Sequence, residues 1–66
     1  MMTDDVLSKV ASELPSIEEN LQKAEDLIQA LREAGEDVSS QEVEIRDAKR
    51  RLMRWKQMLK KRGYSV

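Results

Sequence analysis

Cysteine and histidine are absent from this 66-residue chain. That excludes disulfides, thiolate chemistry and the usual ligands of zinc and copper sites. Aromatic residues are limited to Trp55 and Tyr64, and glycine and proline together number three. Such a composition does not suit a turn-rich β fold and predicts an all-α chain. No run of 18 apolar residues occurs, so no membrane-spanning helix is expected. The start, Met1 to Asp5, is acidic where a signal peptide would be basic and then apolar, and a cytoplasmic protein is the expectation.

Chemistry-bearing motifs are missing as well. Neither G-x-G-x-x-G, nor a Walker A sequence, nor H-E-x-x-H is present, and no repeat of 20–50 residues is visible. Acidic neighbours such as Asp4-Asp5, Glu18-Glu19 and Glu25-Asp26 diverge by about 100° on a helix, so they do not converge on one reacting atom. No catalytic residue, cofactor, metal or small-molecule substrate is expected, and the chain reads as non-enzymatic.

What is present is charge and helical periodicity. Residues 1–37 hold 10 acidic and 3 basic side chains, a balance of −7, whereas residues 38–66 hold 3 and 9, a balance of +6. Opposite halves of this kind suit either a polyanion-binding segment or two antiparallel helices that neutralise one another.

Thr3 reads as the N-cap of a short first helix over about residues 4–13, with Asp4 and Asp5 in its first turn and Val6, Leu7, Val10, Ala11 and Leu14 on one stripe. Pro15 then predicts a break or kink. Ser16 and Glu19 form a capping-box pattern, which favours a fresh start at Ser16. A helix over about 16–34 follows, with Ile17, Leu21, Ala24, Ile28 and Leu31 in a heptad seam of the coiled-coil kind, Leu27 and Ala34 on its flank, and Gly35 at its C′ position.

The short connection leads to a second capping box, Ser39 to Glu42, with Val38 and Val43 placed for a hydrophobic staple. The helix over about 40–62 carries Ile45, Ala48, Leu52, Trp55 and Leu59 at three–four spacing and ends at Gly63. Tyr64 is expected to pack on Leu59 as in a Schellman motif, and residues 63–66 are expected as a frayed tail. In an antiparallel hairpin, facing residues should have numbers summing to about 73: Ile28 with Ile45, Leu21 with Leu52, Ile17 with Trp55, Leu14 with Leu59.

The whole chain, 1–66, is therefore expected as one small helical domain built on that hairpin. Its first helix would either fold back to close a three-helix bundle or leave room for a second copy in a dimeric four-helix bundle. Small size without disulfide or metal favours self-association, with a dimer as the expected oligomer.

Two surfaces are candidates for function. An apolar flank of Leu27, Trp55 and Met58, extended by Met53 and by Leu7 and Val10 of the first helix, suits another helix, because Trp anchors interfaces and Met adapts to varied partners. The bland reading is that Trp55 and Met58 are core beneath the first helix. A basic strip of Arg46, Arg50, Arg54 and Lys61 gives candidate phosphate contacts for nucleic acid. Against it stand ordinary i,i+4 pairs, Glu42 with Arg46 and Asp47 with Arg51, and the acidic helix alongside. The sequence-level expectation is a self-associating interaction or assembly module, with a nucleic-acid-binding regulator as the alternative.

Overall fold

Residues 2–66 are described in a computed structural model of the chain, with side chains from residue 3 onward. It contains two helices, α1 over Met2–Glu33 and α2 over Ser39–Lys61, which pack against each other as a helical hairpin. The hairpin is elongated, about 50 × 17 × 16 Å. Among the described residues, no helix is long and apolar enough to cross a membrane.

The first helix differs from the expectation at its centre. No separate helix over 4–13 exists, since α1 passes through Pro15 without interruption, and Ser16 and Glu19 occupy ordinary helical positions. Thr3 likewise lies inside the first turn and is not its cap. The physical reason is phase. Leu7, Val10, Leu14, Ile17, Leu21, Ala24, Ile28 and Leu31 alternate spacings of three and four across the proline without a slip. A continuous helix keeps this whole stripe on one side, and Pro15 itself is exposed while the adjacent Leu14 is buried. A proline inside a helix costs about 3 kcal/mol, yet breaking the helix there would separate two halves of a single apolar stripe. Because α1 does not fold back, the chain by itself forms no three-helix bundle.

Both helix ends carry the expected glycine. Gly35 has φ 89°, its N–H donates to the Arg32 carbonyl at 2.9 Å, and the Glu36 N–H donates to Leu31 at 3.0 Å. Gly63 repeats the arrangement with φ 90°, donating to Lys60 at 3.0 Å while Tyr64 donates to Leu59 at 2.9 Å. These paired bonds make each end a Schellman motif, in which the left-handed glycine lets the chain turn back on the last carbonyls.

The start of α2 is built otherwise than the capping box implies. Asp37 is the acceptor: its Oδ1 receives the Ser39 N–H at 3.0 Å and the Ser39 hydroxyl at 2.7 Å. The Glu42 N–H follows the helical pattern to the Val38 carbonyl, and the Glu42 carboxylate pairs across the hairpin with Arg32. Val38 is buried at the closed end, while Val43 is 45% exposed. The hydrogen bonds from Ser39 hold the Asp37 carboxyl below its ordinary pKa of 3.8.

Alignment of the two helices follows a constant register. The cross-helix ion pairs Glu18–Lys56, Glu25–Lys49 and Arg32–Glu42 all join residues whose numbers sum to 74, and successive pairs are seven residues apart in each helix. Leu14 and Leu59, summing to 73, are both buried at the same level. The expected register is thus the observed one. Beyond Leu59 the chain continues along α1, and the half-buried Tyr64 donates from its hydroxyl to the Asp4 carbonyl.

Candidate functional site: an apolar flank opposite an ion-paired flank

A two-helix hairpin has two broad sides, and the heptad pattern assigns them different chemistry. Residues one position past the seam, at Glu18, Glu25 and Arg32 in α1 and at Glu42, Lys49 and Lys56 in α2, line one side with three salt bridges. Residues preceding the seam turn to the other side. There Leu27 and Met58 stand among the polar Glu13, Asn20, Glu44 and Arg51, beside the seam residues Val10, Ile17 and Trp55.

Exposure follows from this geometry. Among the described residues, Leu14, Val38 and Leu59 are the buried hydrophobic ones, whereas Leu27 is 61% exposed, Trp55 44% and Ile17 41%. The structure gathers Val10, Leu14, Ile17, Ala48 and Trp55 around one groove of about 330 Å³ on the apolar side. Glu13 and Arg51 stand in its lining. Both helices contribute, because Ile17 and Trp55 sum to 72 and so lie at one level. Trp55 is therefore not enclosed core: with no third helix above it, its indole remains on the surface.

The other expected flank residues are placed less closely together. Met58 is half-buried and lines a separate recess of about 600 Å³ with Arg54, Lys61 and Arg62 at the end of α2. Leu7 is half-buried toward the N-terminal end of α1, and Leu27 projects from the same helix nearer the closed end. Met53 belongs to the opposite side. It is 62% exposed and shares a groove of about 450 Å³ with Glu18, Glu25, Lys49 and Lys56, with Leu21 and Leu52 at its base. Ile17 and Leu31 went unassigned to the flank from sequence, since each counts as seam; the signal was their position three residues after a seam leucine or isoleucine, which turns them toward the uncovered side.

The basic strip is freer than the sequence suggests. Glu42 pairs with Arg32 and not with Arg46, and Asp47 makes no ion pair with Arg51. Across the hairpin the acidic helix engages Lys49 and Lys56. Among the described residues, Arg46, Arg50, Arg54 and Lys61 are exposed and have no carboxylate within salt-bridge distance. No cluster of acidic side chains able to hold a metal ion occurs among the described residues.

Comparison with protein families, curated proteins and solved structures finds no match to this chain.

Proposed function

We propose that this chain is a small, non-enzymatic, cytoplasmic assembly module that self-associates, and takes a helical partner, through the flank centred on Leu27, Trp55 and Met58, with Leu7 and Val10 as its extension. One observation carries the reading: large apolar side chains that a helical domain ordinarily encloses, Ile17, Leu27 and Trp55, remain exposed along one side of both helices. Full burial of an exposed side chain of this kind is worth about 1.5–3 kcal/mol, of which roughly half remains to be gained at residues that are 41–61% exposed, and an aromatic anchor at the centre of an interface is a preferred hot spot. Sedimentation equilibrium of the intact chain and of Trp55→Ala tests it. The native chain should sediment as an oligomer, and the substitution should weaken association by roughly 2–4 kcal/mol. An undisturbed monomer in both cases sinks the proposal.

A second reading is favoured by a separate observation, the lack of carboxylate partners at Arg46, Arg50, Arg54 and Lys61. Arg46, Arg50 and Arg54 recur every four residues, a rise of about 6 Å per step, and form a ridge suited to a phosphate backbone. Binding to duplex DNA or RNA would weaken steeply with salt and be reduced by Arg50→Glu. Absence of any mobility shift in low-salt gels would dispose of this reading.

A further inference from the structure

We infer that the occupant of the apolar flank is a second copy of the chain, related by a two-fold axis parallel to the helices, so that α1 of each protomer packs antiparallel on α2 of the other. Both interhelical connections then lie at the same end of a four-helix bundle. This arrangement rests on the self-association proposed above and adds its geometry.

The area argues for a second copy. The chain exposes 5359 Å² at a mass of 7.7 kDa, whereas a compact monomer of that mass exposes about 4,300 Å². The excess is about 1,000 Å², and a stable complex of standard size covers about 800 Å² on each partner. One hairpin laid on another therefore removes the surplus that this elongated shape creates. Its own long axis, 50 Å, gives a copy the same length as the face it must cover.

Charge selects among the two-fold arrangements. An axis perpendicular to the helices would set α1 on α1 and α2 on α2, placing the −7 segment against its like and the +6 segment against its like. An axis parallel to them sets −7 against +6 twice, and like charges brought together in an interface are costly. Register gives the same answer locally. A parallel axis leaves every residue at its own height, so residue pairs summing to about 73 meet between protomers as they do within one. Glu13, at the edge of the apolar groove, comes level with the partner's Lys61, beside the Met58 recess, and their numbers sum to 74.

The test uses the absence of cysteine. Glu36→Cys places one thiol on the exposed connection of the full chain, where a nitroxide label can be attached and helical content checked by circular dichroism. With interaxial distances of 8–10 Å the two α1 helices lie about 14 Å apart diagonally, so electron-spin distance measurements should give a label separation of about 20 Å. A dimeric mass with a separation near the 50 Å length of the hairpin overturns this arrangement and leaves self-association standing. A monomeric mass of the labelled and unlabelled chain overturns both.

Discussion

Tyr64 donates its hydroxyl hydrogen to the backbone carbonyl of Asp4 at 3.2 Å, across 60 positions of sequence. The bond joins the residue after the C-terminal glycine of α2 to the first turn of α1, at the end of the hairpin opposite the covalent connection. Without it, that end is held by side-chain packing around Leu14 and Leu59.

Removing the hydroxyl should therefore loosen the open end more than it lowers global stability. The bond is exposed, so Tyr64→Phe should cost about 0.5 kcal/mol, the low end for a hydrogen bond, or a melting decrease of roughly 2–4 °C in a domain of this size. Amide exchange at Val6 to Val10 should accelerate. Equal melting and unchanged exchange in the two proteins would show that the contact contributes nothing.

The three cross-helix ion pairs set a second expectation. Lys56→Glu faces Glu18 with a like charge, and Glu18→Lys does the converse to Lys56; either should destabilise the hairpin. The double exchange should restore most of the loss. Lys56 and Glu18 are 33% and 43% exposed at their side chains, so solvent screening limits the coupling to about 0.2–1 kcal/mol. A double-mutant cycle by urea denaturation measures it, and high salt should shrink it. Additive single effects would refute the pairing.

Much of this architecture was legible from residue spacing. Gly35 and Gly63 marked both Schellman ends because few other residues tolerate φ near 90°. The seam residues predicted the register because an antiparallel pair preserves the sum of facing numbers, and Leu14 with Leu59 meets that rule. Local rules failed where tertiary packing outweighed them. Pro15 implied a break, but the stripe from Leu7 to Leu21 stays in phase through it. Ser39 and Glu42 implied a capping box, but Asp37 and Arg32 offered them charge-assisted partners. The free state of Arg46 was hidden for a related reason: i,i+4 proximity to Glu42 is visible in sequence, whereas competition from Arg32 across the hairpin is not.

Asp37 gives an expectation with pH. Its folded pKa is depressed by the two hydrogen bonds from Ser39. A depressed carboxyl contributes stability that is fully present above the unfolded pKa and is lost as pH falls through the lower folded value. The window thus opens below about pH 3.8. In the native chain, melting temperature should fall through this range by more than in Asp37→Ala, which lacks the acceptor and should melt lower than the native chain at neutral pH. Identical acid profiles for the two proteins would remove Asp37 from the cap.

Pro15 offers the sharpest contrast between two accounts of the first helix. If a new helix starts at Ser16, Pro15 lies just outside it, where no helical N–H is required of it, and Pro15→Ala should be neutral or destabilising. In a continuous α1 the proline withholds a helical donor and crowds the preceding turn. Alanine would then restore both at an exposed position with no new packing to accommodate. The substitution should stabilise the chain by about 2–3 kcal/mol, the difference between proline and alanine in a helix interior. Thermal and urea unfolding must be compared at one protein concentration, because association shifts apparent stability by mass action. A gain assigns Leu14 to the same helix as Leu21 and makes the apolar flank one uninterrupted surface from Val10 to Leu27; a loss would divide it at the proline.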